Sequence, residues 1–221
     1  SAALTFNASN KPAKKEHGHM KILHIDSSIL GGASVSRQLS AGIVARLKAT
    51  YPGAEVTYRD IGANPLPHLS GAVLGAAQGP QEVTGDLAQD LKAGGEVLAE
   101  FLAADAIVIG APMYNFGVSS QLKAWIDRIA VAGKTFRYTE KGPEGLAGDK
   151  KVLVALSRGG FYGPESGMNA FEHQESHLKA VFTFLGIRDI TFVAAEGLNI
   201  SADQKAASLQ KATSEIAALA A

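Results

Sequence analysis

The hydrophobic pattern changes period twice between residues 106 and 127. Ala106-Ile107-Val108-Ile109 is an unbroken, β-branched apolar run, which predicts a strand buried on both faces, as in a parallel sheet. Gly110-Ala111-Pro112 interrupts it, and Pro112 has no N–H to give a ladder, so the strand is expected to end there. An aromatic turn follows, Met113-Tyr114-Asn115-Phe116-Gly117. From Ser119-Ser120 onward Leu122, Trp125, Ile126 and Ile129 recur at helical spacing, with either serine able to cap the helix. Strand, exposed aromatic loop, helix is where open α/β sheets bind ligands, beyond the carboxyl ends of the strands. Taken alone, the loop is also accounted for as an ordinary connection.

The rest of the chain alternates the same two periods. Residues 21–26 (KILHID) predict the first strand, which runs into Ser27-Ser28-Ile29-Leu30-Gly31-Gly32-Ala33-Ser34-Val35-Ser36. A helix over 34–50 carries Leu39, Ile43, Val44 and Leu47 on one face and stops at Tyr51-Pro52-Gly53. Residues 55–59 read as a second strand and 60–79 as a long loop rich in Pro, Gly and Ala. Val83, Leu87, Leu91, Val97, Leu98 and Phe101 give a helical stripe over 81–104, with a kink expected at Gly94-Gly95. After the central strand and helix, Thr135-Phe136-Arg137-Tyr138 and Gly142-Pro143-Glu144-Gly145-Leu146 predict a hairpin. Residues 151–156 form the fourth expected strand, halted by Ser157-Arg158-Gly159-Gly160. A helix within 165–186, a strand over 189–195 and an alanine-rich helix over 202–220 follow. Strand–helix alternation five times over predicts an α/β fold, an open parallel five-stranded sheet with helices on both faces. No internal repeat or boundary is visible, so residues 20–221 read as one domain.

Composition narrows the classes. Acidic and basic residues balance at 21 each among 221. Setting aside the three lysines and one glutamate of residues 1–19 leaves 18 basic against 20 acidic side chains, a net charge of −2. Such a chain has no field to attract nucleic acid or an anionic membrane, and no apolar run approaches the ~18 residues of a membrane span. Cysteine is absent, which excludes disulfides, thiolate catalysis and cysteine metal sites and suits a cytoplasmic setting. Residues 1–19 lack hydrophobic periodicity and the apolar core of a signal peptide. Gly18-His19-Met20 reads as a cloning junction, so this segment is expected to be a leader outside the fold, or a natural flexible tail.

Three loops would gather at the carboxyl edge of the sheet: 27–36, 112–117 and 157–160. The first follows a strand, holds hydroxyls at Ser27, Ser28, Ser34 and Ser36, and leads into a helix. A helix N-terminus presents unpaired amides and partial positive charge, so hydroxyls and amides together bind phosphate there. One serine would serve as a cap; four with two glycines exceed that need. Neither G-x-G-x-x-G nor G-x-x-x-x-G-K-[ST] is present, so a dinucleotide or triphosphate fingerprint is missing. A mononucleotide with a large planar ring fits better, with the aromatic loop against the ring and Ser157-Arg158-Gly159-Gly160 allowing close backbone approach. A flavodoxin-like sheet places FMN at its switch point in this manner.

These residues carry a resemblance. Ser27-Ser28-Ile29-Leu30, Ser34-Val35-Ser36, Ala111-Pro112-Met113-Tyr114-Asn115-Phe116, Thr135-Phe136-Arg137-Tyr138-Thr139-Glu140, Gly142-Pro143-Glu144-Gly145-Leu146 and Ser157-Arg158-Gly159-Gly160 occur in the order and spacing of one family. The chain resembles the FMN-dependent NADH-azoreductases of the flavodoxin-like quinone reductase superfamily from Met20 to its end, least so in 71–81 and 161–167. Family members often carry a polar residue at Val35, a difference without consequence if that position offers its backbone N–H.

The resemblance implies a homodimer with one non-covalent FMN per subunit, NADH or NADPH as hydride donor, and a quinone or azo compound as acceptor. Ser28, Ser34 and Ser36, with the Val35 amide, would take the phosphate. Pro112, Met113, Tyr114, Asn115 and Phe116 would flank the ring, and Ser157, Arg158, Gly159 and Gly160 would lie at its far rim. Phe116, Tyr138 and Phe184 would wall the substrate pocket, some from the partner subunit, with core packing the other reading for Phe184. No side chain stands out as an acid–base catalyst, the hydride chemistry being the cofactor's.

Other signals are weaker. His173 and His177 sit four apart in an expected helix, but the glutamate that zinc proteases place directly after the first histidine is missing. Asp26 and Asp60 end strands, where aspartate often caps a loop, and His24 inside a strand reads as a packed residue. Arg158 either steers an anionic group or is solvated. A flavodoxin-type electron carrier without small-molecule turnover is the alternative function, though such carriers are usually strongly acidic. A flavin-free protein on the same fold is a third.

Overall fold

The computed structural model describes residues 19–76 and 83–220. The expected leader up to residue 18, positions 77–79 of the long loop and the expected helix start at 81–82 lie outside the described residues. Five parallel strands form one sheet: β1 (Lys21–Asp26), β2 (Glu55–Asp60), β3 (Ala106–Pro112), β6 (Lys151–Ser157) and β7 (Asp189–Ala195), in the order β2-β1-β3-β6-β7. A separate antiparallel hairpin pairs β4 (Phe136–Thr139) with β5 (Gly142–Gly145). The order reverses between β1 and β3, which puts a switch point beside the carboxyl ends of both.

β3 is buried along its whole length, and its residues alternate between two cores. Ile107 and Ile109 face the layer built by α3 (Gly85–Ala103), α4 (Ser120–Ile129) and α5 (Glu175–Phe184), among Phe101, Trp125 and Phe182. Ala106 and Val108 face α1 (Val35–Thr50) and α6 (Ala202–Ala217), among Leu39, Ile43, Leu47 and Ile216. Burying each large apolar side chain contributes roughly 1.5–3 kcal/mol, so the all-apolar middle strand anchors both layers.

Local signals set the element ends. Ser119 caps α4 by accepting from the Leu122 amide, Ser34 caps α1 by accepting from the Arg37 amide, and Ser201 caps α6. β3 runs through Gly110 and Ala111 and stops at Pro112, which lies opposite Ser157 in register. The expectations differ from the structure in several places. The long loop after β2 contains a short helix, α2 (Gly71–Ala76). α3 passes through Gly94 and Gly95 without interruption, because its two buried anchors, Val97 and Phe101, follow on one face in the next turn. His173 precedes α5, so it and His177 do not share a helix. His19, assigned to the leader, has its Nδ1 3.0 Å from the Gly53 carbonyl oxygen. No helix among the described residues is long and apolar enough to cross a membrane.

Candidate active site

Three loops begin level with one another because the strands are in register: Asp26 pairs with Gly110, and Pro112 with Ser157. The first is the turn from β1 into α1. Ser34 Oγ lies 3.1 Å from Ser36 Oγ, and the Val35 and Ser36 amides, at the first two helical positions, have no backbone acceptor among the described residues. Two donors and two hydroxyls therefore converge where the helix dipole is positive. Ser28 differs from the expectation. It is buried, its Oγ accepts from the Leu30 amide at 3.2 Å and lies 3.2 Å from Tyr114 Oη. In this arrangement its hydroxyl braces the loop.

The second loop is a tight turn. The Tyr114 and Gly117 backbones exchange hydrogen bonds at 3.0 and 3.1 Å, and both central residues, Asn115 and Phe116, have positive φ, 48° and 72°. That conformation is costly for a side chain as large as Phe, and strain of this kind gathers at ligand sites. It holds the Phe116 ring at the surface, 41% exposed, 5.2 Å from Phe171 and 6.2 Å from Tyr162. Tyr114 turns inward instead: the Ile29 amide donates to its Oη at 3.2 Å, so the ring joins the first two loops. Met113 joins the second to the third, its amide donating to the Ser157 carbonyl at 2.8 Å.

In the third loop Arg158 is neither solvated nor offered to an anion. It is 4% exposed, and its guanidinium donates to Gln174 Oε1 and Glu196 Oε1, both at 3.0 Å, and to Glu172 and Glu175. Its side chain is thus a structural hub, a correction to its place among the ring-binding groups; its backbone N–H donates to the Ala195 carbonyl and its carbonyl accepts from the Leu198 amide. Gln174, which sequence reasoning missed, is fully buried and donates onward to the Ala111 carbonyl at 2.9 Å. Burial alone would raise the Glu172 carboxyl, but the amides of Glu175, Ser176 and Gln174 and the Arg158 charge together hold it below the ordinary glutamate value. A Cβ on Gly159 would fall 2.5 Å from Asn199 Nδ2, so a side chain there would have to displace the Asn199 amide.

Between the aromatic turn and the starts of α4 and α5 opens a groove of about 680 Å³, lined among others by Ile29, Tyr114, Asn115, His173 and His177. Burial and the nearby Lys123 charge lower the His177 imidazole, with Asp127 opposing. Among the described residues no group of three or more His, Asp or Glu is placed to hold a metal ion.

Tyr138 and Phe184 are not brought to this edge. Tyr138 sits on the hairpin, 5.6 Å from Phe136, and Phe184 at the end of α5, 4.8 Å from Phe136. The hairpin packs where Gly145 meets Gly186, just before β7 begins, and thus at the amino edge of the sheet. A seven-residue strand separates the edges by roughly 20 Å. Of the three expected aromatic walls, Phe116 alone lies on the carboxyl edge of its own chain, in the turn beside the groove.

Known proteins are similar to this chain in sequence and in fold. A family model described as flavodoxin-like fold matches residues 20–220. The FMN-dependent NADH:quinone oxidoreductase of Rhizobium meliloti (strain 1021) is 57% identical over 198 residues, covering 90% of this chain and 96% of that relative. FMN-dependent NADH:quinone oxidoreductase 2 of Bradyrhizobium diazoefficiens is also 57% identical, over 199 residues, with 88% and 98% covered. Among solved structures, an FMN-dependent NADH-azoreductase from Bacillus anthracis str. Ames Ancestor, in complex with FMN, superposes with a TM-score of 0.81 at 29% identity, over 90% of this chain and 96% of that one. With a matching family model over nearly its whole length and relatives at more than half identity, the chain belongs to the flavodoxin-like family, alongside the FMN-dependent NADH:quinone oxidoreductases.

Proposed function

We propose that the chain is an FMN-dependent NADH:quinone oxidoreductase that also accepts azo compounds and works as a homodimer with one FMN per subunit. The observation that carries this reading is the meeting of three loops at the β1/β3 switch point, with unpartnered amides of Val35 and Ser36 beside the Ser34 and Ser36 hydroxyls. That donor set fits a phosphate monoester, which needs several N–H and O–H groups and no metal. The amides and hydroxyls at 34–36 would hold the phosphate, the turn from Pro112 to Phe116 would flank the ring, and the backbone of Ser157, Gly159 and Gly160 would meet its rim.

When bound, FMN would supply two-electron hydride chemistry through N5, with NADH or NADPH as donor and the quinone or azo compound as acceptor in a ping-pong sequence. The protein's own part is to orient and enclose. Phe116, held by the strained turn, offers a ring face for a flat substrate to stack on. Tyr138 and Phe184, packed on Phe136, are too far from the groove of their own chain to wall it, but both are exposed and would be free to cover the groove of a second copy. With no second nucleotide fingerprint in the chain, nicotinamide and acceptor use the same face in turn.

Initial rates with NADH at several quinone concentrations test this. Parallel double-reciprocal lines are expected, together with competition between a flat aromatic inhibitor and NADH. Intersecting lines would remove the shared pocket, and absence of NADH-driven quinone reduction by the FMN-loaded protein would remove the enzyme reading itself.

A further inference from the structure

Behind the first loop lies a polar network that the hydride chemistry does not use. Asp26, at the end of β1, is 3% exposed. Its Oδ1 accepts from Ser40 Oγ at 2.7 Å, and its Oδ2 from Tyr58 Oη at 3.1 Å. His24 Nε2 lies 2.9 Å from the same Ser40 Oγ, and the His24 and Tyr58 rings meet at 4.9 Å across neighbouring strands. Arg37, in the first turn of α1, joins this set to the end of β2. Its Nη1 and Nη2 donate to Asp60 Oδ2 and Oδ1, each at 2.6 Å, and Nη1 reaches Tyr58 Oη at 3.1 Å.

One further bond gives the network a direction. Arg37 Nη2 donates to the Ser28 carbonyl oxygen at 2.8 Å. That carbonyl and the Ile29 amide belong to one planar peptide unit. The amide end is held by Tyr114 Oη at 3.2 Å, and the carbonyl end by Arg37. A peptide plane fixed at both its oxygen and its nitrogen cannot rotate without breaking one of the two bonds. Gly62 closes over the same carbonyl so tightly that a Cβ there would overlap Ser28. Residue 28 is thereby set against the start of α1, seven residues on, by a side chain of α1 itself.

Arg37 presents no exposed donor to a phosphate among the described residues. Of its five N–H groups, four are given to Asp60, Tyr58 and Ser28, and the Nε is buried without a partner. Its charge is matched by the Asp60 carboxylate in a two-point contact. We propose that Arg37 is a positioning residue for the phosphate end of the FMN site, pinning the Ser28–Ile29 peptide and so the spacing between the first loop and the amides of Val35 and Ser36. The inference rests on the FMN reading above. It makes the phosphate contacts uncharged, through hydroxyls and amides, with the nearby cation spent on geometry. Lysine cannot replace it, since one ammonium does not span two carboxylate oxygens and a carbonyl in a fixed plane.

Comparing two ligands tests this. FMN and riboflavin share the ring and ribityl chain and differ by the phosphate, so their affinities for the full chain stripped of flavin, read by quenching of flavin fluorescence, isolate that end of the site. In Arg37→Met/Asp60→Asn, which removes both charges together, FMN is expected to bind about tenfold more weakly and riboflavin within about twofold of the unsubstituted protein. Arg37→Lys, which keeps the charge, should retain the thermal melting point while its preference for FMN over riboflavin falls severalfold. It also stands in should the double variant fail to fold. Equal weakening of both flavins, or an unchanged preference in either variant, overturns the positioning role. If the unsubstituted protein binds neither flavin, the FMN reading itself is overturned.

Discussion

Tyr114 shows how a residue chosen for one role can hold another. Its place in an aromatic turn points to a ring face, yet its hydroxyl is what joins the first two loops, at 3.2 Å from both Ser28 Oγ and the Ile29 amide. Tyr114→Phe keeps the ring and removes those bonds. At about 0.5–1.5 kcal/mol for each neutral hydrogen bond, FMN affinity should fall between a few-fold and about a hundredfold, measured by fluorescence titration. Affinity equal to that of the unsubstituted protein would show that the loop keeps its shape without the bridge. His177 makes a prediction about pH. Its half-buried imidazole titrates below 6.5, so between that lowered value and 6.5 the unfolded chain binds more protons than the folded one. Stability should therefore rise with pH through that window and be lost below it. Thermal melts from pH 4 to 8 check this: His177→Asn should flatten that part of the curve, and an identical slope would mean that His177 is not its source. Arg158 was ambiguous in sequence, since a guanidinium after a strand serves an anion or solvent equally well. Its partners Glu172, Gln174, Glu175 and Glu196 come from two other segments, and only folding brings four acceptors around one buried fork.

At the scale of elements the periodicity was a good guide, because strands buried on both faces and amphipathic helices write their spacing directly into the chain. β7 falls on the residues where the apolar pattern puts it, and the cap serines Ser34, Ser119 and Ser201 mark three helix starts. The pattern misled where local propensity and packing disagree. Two adjacent glycines weaken a helix by up to about 1 kcal/mol each, but α3 continues through Gly94 and Gly95 because Val97 and Phe101 are anchored in the core. α2 has a single buried side chain, Val73, so no stripe announces it. Gly110 joins strand packing to the site. A Cβ there would overlap the Asp26 carboxylate and crowd the Ser36 carbonyl and Ser40 Oγ, both at 3.1 Å. Gly110→Ala should cost about 1–3 kcal/mol, seen as a lower urea midpoint, and should weaken FMN binding by displacing the network under the first loop. A variant as stable as the parent would show that β3 can yield without disturbing Asp26.

For the whole molecule, the strand order β2-β1-β3-β6-β7 puts the three ligand loops at one edge and the hairpin aromatics at the other. In the proposed homodimer both sets would serve one pocket. Light scattering at assay concentration should give twice the chain mass, and Tyr138→Asp, on a side chain 75% exposed in one copy, should shift the protein toward monomer while raising the quinone Michaelis constant. A fully active monomer would contradict the shared wall. The apolar and polar periods of the chain, together with its caps and glycine-rich turns, were enough to determine the α/β class, the five strands and the three loops on which the proposed site is built, since each of these depends on residues close in sequence. The loop motifs also carried the family. The tertiary structure alone decided that Arg37 clamps the Ser28 carbonyl, that Arg158 is buried among glutamates, and that Tyr138 and Phe184 face away from their own groove. Each of those outcomes joins groups from different strands and helices, whose distance is set by strand order and register, and no spacing along the chain encodes it.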